Sequence, residues 1–139
     1  MEYTGKTTLI TGASSGIGVH FAEGFAARGS NLILVARRKD RLDEVAKTVS
    51  QKYGVSVTVI AQDLAAPGAV AKLEKAVNAK KLTVDVLINN AGFGVNGFFI
   101  EEERSRTQEE IALNIGVLAD LTAAYLPGMV KRNSGAVVN

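Results

Sequence analysis

Five short aliphatic runs, separated by longer stretches with helical periodicity, limit most strongly how this chain can fold. The runs are rich in Val, Ile, Leu and Thr and lack polar alternation; they are Thr7–Thr11, Asn31–Ala36, Ser56–Ala61, Val84–Asn89 and Ala136–Asn139. Strands read as continuous apolar runs when helices cover both faces of a parallel sheet. The alternation therefore predicts an α/β fold with a doubly wound parallel sheet.

The stretches between the runs carry apolar residues at i, i+3 and i+4, the spacing that lines one face of a helix. The four stripes are Ile17, Phe21, Phe25; Leu42, Val45, Val49, Tyr53; Val70, Leu73, Val77; and Ile111, Ile115, Leu118, Thr122, Tyr125, Met129. Gly29 and Gly54 follow the first two stripes, as glycines that end helices do, and Pro67 stands where the third helix can begin. We expect residues 1–139 to form one domain that stops inside its fifth strand.

Composition excludes several classes of function. The net charge is +2, from 16 Lys and Arg against 14 Asp and Glu, so we expect neither nucleic acid nor an anionic membrane as partner. The absence of Cys and the presence of a single His, His20, leave no basis for a disulfide or a metal site. With no secretory leader at Met1 and no apolar stretch near the length of a membrane span, we expect a cytoplasmic protein.

The loop after the first strand reads Thr-Gly-Ala-Ser-Ser-Gly-Ile-Gly over residues 11–18. Gly12 permits a tight turn, Gly16 lets the backbone approach a pyrophosphate, and Gly18 lets the helix pack close to the sheet. The start of the helix would add free N–H groups and positive dipole potential. An ordinary glycine-rich turn is the alternative, whereas a P-loop is excluded because no Gly-Lys-Ser/Thr follows.

Three further segments accompany this loop. Asp63-Leu64 follows the third run, Asn89-Asn90-Ala91-Gly92 closes the fourth, and Asn114 lies in the fourth helix. In this order and spacing, from Lys6 to Asn139, the chain resembles the classical short-chain dehydrogenases/reductases. The segment Asn89–Gly94, with Leu121-Thr122 and Leu126-Pro127, is most similar to their ketoacyl-reductase-like branch.

The resemblance implies a Rossmann-type fold and a dinucleotide site at the matching positions. Its residues would be Gly12, Ser14, Ser15, Gly16, Ile17 and Gly18 at the phosphates and adenosine ribose; Asp63 and Leu64 at the adenine; and Asn90, Ala91 and Gly92 along the ribose. Asp63 would accept a hydrogen bond from the adenine amino group, and the backbone N–H of Leu64 would donate one. Asn90 would also stabilise the centre of the sheet.

The end of the second run indicates which dinucleotide is bound. NAD sites usually carry an acid there for the ribose hydroxyls, but this chain has Ala36 followed by Arg37 and Arg38. A guanidinium group suits a 2′-phosphate, and Ser14 or Ser15 can add a hydroxyl. The alternative is a solvated charged face, balanced by the acids at 40, 43 and 44. We predict NADP(H), with NAD(H) as the weaker ligand.

The family resemblance implies a catalytic Asn, Ser, Tyr and Lys, the last two in a Tyr-x-x-x-Lys pattern. No tyrosine in this chain has Lys four residues on, because Thr7, Val57 and Met129 stand at those positions. Of the four catalytic residues, only the Asn has a match in this chain, at Asn114. The alternative is that Asn114 is a tolerated polar residue on a helix face. Asn114 and Gly116 are poor helix formers, so we expect a local distortion.

The protein is thus expected to be an NADP(H)-dependent oxidoreductase acting on a small carbonyl or alcohol, with this chain alone inactive and the catalytic segment following Asn139. A non-catalytic dinucleotide-binding module or sensor is the alternative. A methyltransferase with an adenosyl cofactor also wants an acid after the second run, which Arg37 denies. We further expect Phe93, Phe98 and Phe99 to cap the core rather than line a substrate pocket. Finally, we expect a homo-oligomer through the fourth helix or the edge of the fifth strand.

Overall fold

The computed structural model, which describes residues 2–139, contains a parallel sheet of five strands. They are β1 (Thr7–Thr11), β2 (Asn31–Ala36), β3 (Val57–Ala61), β4 (Val86–Ile88) and β5 (Ala136–Val138). Their order across the sheet is β3-β2-β1-β4-β5. The predicted doubly wound, Rossmann-type sheet is confirmed, and β3, β4 and β5 are shorter than predicted.

Helices α1 (Ile17–Ala26), α2 (Lys39–Tyr53) and α3 (Ala69–Ala79) connect the first four strands. A short 3-10 turn, Phe99–Glu101, follows β4, and one long helix then returns the chain to β5. This helix consists of α4 (Arg104–Ile111), a π-helical segment (Ala112–Val117) and α5 (Leu118–Lys131). The distortion predicted around Asn114 and Gly116 is therefore present, as a π-helical segment inside a longer helix than the stripe indicated.

Successive residues of each strand pack in two separate hydrophobic cores, because the side chains of a strand point alternately to opposite faces of the sheet. Leu9 faces the core closed by α3 and α5, which includes Leu73 and Leu121. Ile10 faces the core closed by α1 and α2, which includes Leu42. Both strand residues are fully buried. This two-sided packing holds β1 rigidly at the centre of the sheet, where its carboxyl end supports the glycine loop.

Two expectations about apolar surface are wrong. Phe98 and Phe99 are 75% and 83% exposed rather than packed in the core, because they precede and begin a 3-10 turn that lies on the surface. The helix from Arg104 to Lys131 is also long and apolar enough to cross a membrane by length and composition, with a mean hydropathy of 1.3 over an 18-residue stretch. The hydropathy is high because apolar residues such as Ile115 and Val130, rather than charged ones, occupy its solvent-exposed side. Only 6% of that stretch is buried, so its apolar composition is not that of a core helix.

Candidate functional site

A cavity of about 360 Å³ opens at the carboxyl ends of the strands. Its size falls within the range of small-molecule sites, and its position is where doubly wound sheets bind ligands, at the switch point beside β1 and β4. The predicted site residues that line it are Gly12, Ser14, Ser15, Ile17, Arg37, Arg38, Asp63, Leu64, Asn90, Ala91 and Gly92. Ala36, Gln62, Phe93, Glu109 and Leu113 also line it. Gly16, Gly18 and Asn114 are not among the lining residues.

The loops after β1 and β4 are tied together by side-chain amide and hydroxyl groups. The Asn90 amide Nδ2 donates to the backbone oxygens of Thr11, at 2.9 Å, and Gly12, at 3.3 Å. A Cβ atom on Gly12 would lie 2.9 Å from the same nitrogen, so only glycine fits there. Asn90 therefore joins the two central strands, as the sequence implied, and keeps the loop backbone bare.

Thr11, which the sequence placed simply in a strand, organises this junction. Its hydroxyl accepts hydrogen bonds from the backbone N–H groups of Asn90, at 3.0 Å, and Ala91, at 2.9 Å. The same hydroxyl donates to the carbonyl of Ile88 at 3.2 Å. Thr11 is 1% exposed, so these bonds are protected from water and fix the path of the chain out of β4.

The start of α1 offers unshielded backbone N–H groups. Gly16 is its N-cap, with φ 57° and ψ −134°, a conformation that favours glycine, and no side chain within residues 2–139 caps the helix. Gly18, the second residue of α1, approaches the carbonyl of Gly12 so closely that a Cβ atom would overlap it. Bare backbone at a helix N-terminus suits phosphate oxygens in geometry and in charge. The residues of this loop thus fit the diphosphate of a dinucleotide.

The two arginines after β2 have different partners at the cavity mouth. Arg38 Nη2 donates to the Ser14 hydroxyl at 3.5 Å, on the glycine-loop side. Arg37 Nη1 lies 3.9 Å from Glu109 Oε1, on the α4 side, and its side chain is 67% exposed. With Ala36 in place of an acid, the edge of the cavity presents two guanidinium groups that fit a ribose phosphate.

The turn after β3 holds Asp63 and Leu64 at the outer end of the cavity. The Asp63 carboxylate accepts the backbone N–H of Ala65 at 3.0 Å, which shapes the turn. Leu64 is 4% exposed and belongs to the core under α3, so it anchors the turn. Gln62 donates to the carbonyl of Ala69 and links the turn to the start of α3.

Asn114 acts on the loop after β4 rather than on the cavity directly. Its Oδ1 accepts the backbone N–H of Phe93 at 3.1 Å, and its Nδ2 donates to the Phe93 carbonyl at 2.7 Å. The guanidinium of Arg106 covers the Phe93 ring at 3.9 Å. A Cβ atom on Gly92 would lie 2.9 Å from Asn114 Oδ1. The π-helical segment thus presents the amide that fixes Phe93, and both polar atoms of that amide are engaged there.

The family model described as short chain dehydrogenase matches residues 6–139, and the chain belongs to that family. Very-long-chain 3-oxoacyl-CoA reductase-B of Danio rerio is 34% identical, over 97% of this chain and 44% of its own length. L-Sorbose reductase from Gluconobacter frateurii, solved with NADPH and L-sorbose, is 39% identical to this chain, with a TM-score of 0.89. The match covers 99% of this chain and 53% of the reductase chain. A short-chain dehydrogenase from Sphingobium yanoikuyae, solved with NADPH, is 42% identical, with a TM-score of 0.89. The match covers 96% of this chain and 52% of the dehydrogenase chain.

These relatives confirm the resemblance to the ketoacyl-reductase-like branch. The chain spans about half the length of the relatives it matches. The similar structures that contain NADPH support a nicotinamide dinucleotide as the cofactor of this fold.

Proposed function

We propose that this chain is the NADP(H)-binding domain of an oxidoreductase that interconverts a small carbonyl compound and an alcohol. The observation that carries the proposal is the pair Arg37 and Arg38 at the cavity edge, next to Ala36, where an NAD site would carry an acid. The NADPH complexes of two similar proteins support this choice.

In this proposal the cavity residues bind and orient, and the dinucleotide, when bound, supplies the hydride. Gly16 leaves open space beside the loop backbone for the diphosphate, while Gly12 and Gly18 allow the close packing that shapes the loop. The N-terminus of α1 stabilises the diphosphate electrostatically. The segment after β4, from Asn90 to Gly92, lines the cavity and supplies a rigid backbone surface for the ribose. Asp63 and the backbone N–H of Leu64 are the proposed partners of the adenine.

We propose that residues 1–139 bind the dinucleotide without turnover, because they include no Tyr-x-x-x-Lys pattern. Asn114 is then a positioning residue, since it holds the Phe93 backbone rather than a reacting group. The same absence favours the second candidate, a dinucleotide-binding module or sensor. Added carbonyl substrate tests the expectation that both candidates share, because NADPH oxidation by the chain itself would contradict the proposed inactivity.

A self-associating surface forms a further part of the proposal. The long helix exposes Ile111, Ile115, Leu126 and Val130, and contiguous exposed apolar surface commonly marks an interface. We expect light scattering to give a mass above 14.6 kDa at high concentration, and the double variant I115K/V130K to reduce it. A monomer at all concentrations would contradict self-association. The cytoplasmic location expected from the sequence stays a prediction.

Titration of the chain with NADPH and NADH tests the cofactor proposal. Calorimetry at low salt is expected to give tighter binding of NADPH, and the difference should shrink as salt screens the arginines. Equal affinities would overturn the NADP assignment, while no binding of either nucleotide would overturn the dinucleotide site altogether.

A further inference from the structure

Glu109 stands out among the residues around the cavity because it is an acid that faces the arginines. It reaches the cavity from α4, three residues before the π-helical segment, and is only partly exposed. Asp63, the other lining acid, uses its carboxylate within its own turn. Glu109 therefore brings a negative charge to the side of the cavity where the proposed phosphate would lie.

The position of this carboxylate is fixed by its neighbours. Glu109 Oε2 is held at 2.9 Å by Nη1 of Arg106, one turn earlier on the same helix. Arg106 is itself stacked on the Phe93 ring, which the Asn114 amide holds by its backbone. With Oε2 engaged, Oε1 points to Arg37 at 3.9 Å. The chain Phe93–Arg106–Glu109–Arg37 thus spans the cavity mouth from the β4 loop to the end of β2.

We infer that Glu109 moderates the selectivity for NADP(H) over NAD(H), an inference that rests on the proposed function. A 2′-phosphate carries roughly two negative charges near neutral pH and needs the Arg37 guanidinium that Glu109 attracts. To bind Arg37, the phosphate must displace the Glu109 carboxylate from it. The phosphate then lies near that carboxylate and is repelled by its charge, so both the competition and the repulsion weaken binding. A ribose with free hydroxyls meets no such repulsion, and a carboxylate can accept a hydrogen bond from a hydroxyl. Glu109 supplies from α4 the acid that is missing at Ala36, and so moderates the preference for NADP(H).

Two adenosine ligands isolate this effect from the nicotinamide half. Adenosine 2′,5′-bisphosphate and AMP differ by the 2′-phosphate alone, and their dissociation constants are measured by calorimetry on the chain. E109Q keeps the size of the side chain and removes its charge. We expect it to bind the bisphosphate about three- to tenfold more tightly, in line with a partly exposed ion pair, while its affinity for AMP changes less than about twofold.

E110Q is the matched control, since it removes the same charge from the next residue of the helix, which does not line the cavity. A second control places E109Q in an R37A background, where the gain should shrink to the part that comes from direct repulsion of the phosphate. Equal effects of E109Q and E110Q, or a gain undiminished by the loss of Arg37, would overturn the inference. A wild-type chain that binds AMP and the bisphosphate equally would instead overturn the proposed NADP(H) site, and the inference with it.

Discussion

Gly18 packs against the carbonyl oxygen of Gly12 with no space for a Cβ atom between them. This contact lets α1 start directly above the carboxyl end of β1. The close approach also keeps the loop backbone turned toward the cavity, so the phosphate-binding geometry and the stability of the fold depend on the same two glycines.

Substitution of Gly18 with alanine is therefore expected to destabilise the chain by about 3 kcal/mol, because the new methyl group meets fixed backbone. Gly24 in the same helix is the matched control, since its Cβ atom would meet only the flexible end of Arg28, at 3.8 Å. G24A should gain up to about 1 kcal/mol from helix propensity. Urea unfolding followed by circular dichroism measures both, and a G18A variant as stable as G24A would contradict the steric account.

The Thr11 hydroxyl is expected to be needed for the exit of the chain from β4. T11V keeps the shape but leaves the backbone N–H of Ala91 without its buried acceptor, which should cost about 2 kcal/mol. T58V, on the half-buried edge strand β3, is the control and should change stability by less than about 0.5 kcal/mol. The two free energies of unfolding are compared in urea; equal values would show that the Thr11 hydrogen bonds contribute nothing net.

The sequence predicted the sheet well because buried strands and amphipathic helices differ in period and length. Its errors fall where tertiary contacts decide. The predicted fourth strand spans Val84–Asn89, but β4 spans only Val86–Ile88, and the Asn89 side-chain amide donates to Thr122 and Asn139 while its backbone N–H still donates to Val138. Phe98 was assigned to the core by its aromatic character alone, whereas the segment carrying it lies on the surface.

The site was predictable to the extent that its residues follow strand ends, since parallel strands bring their carboxyl ends to one edge. The sequence could not predict that Glu109 lines the cavity, because its position depends on how α4 packs against the loops around the cavity. Asn114 is an intermediate case. Its low helix propensity indicated a distortion, but its pairing with Phe93 required the loop and the helix to be seen together.

Loss of Arg38 is expected to weaken NADPH binding more than NADH binding. The charge-assisted contact of a guanidinium with a phosphate is worth roughly 1.5–3 kcal/mol, so R38A should lose at least about tenfold in NADPH affinity. Arg41, paired with Glu44 at 3.0 Å one turn along α2, is a matched control outside the cavity. Calorimetric titrations of both variants test this, and an equal loss for both nucleotides in R38A would remove Arg38 from the 2′-phosphate site.

Tyr125 makes the stability of the chain sensitive to alkaline pH. Burial, and to a lesser extent the negative charge of Glu74, raises the pKa of its phenol from 10.0 to about 12. Between these values the unfolded chain has released the proton and the folded chain retains it. The stabilising contribution is therefore complete below pH 10 and is lost as the pH rises through 12. The slope is at most about 1.4 kcal/mol per pH unit, and it is smaller near pH 10 and pH 12, where one of the two states is only partly titrated.

The variant Y125F should remove this dependence and unfold with a shallower pH profile between 10 and 12. At neutral pH it should also be more stable by about 1 kcal/mol, because the Tyr125 hydroxyl is buried without a hydrogen-bond partner among residues 2–139. E74Q should reduce the slope by less than Y125F does, since the charge is the smaller cause of the raised pKa. Urea midpoints at closely spaced pH values provide the measurement. Parallel profiles for Y125F and the wild-type chain would mean that the phenol is solvated in the folded state and that α3 and α5 pack less closely around it than the structure indicates.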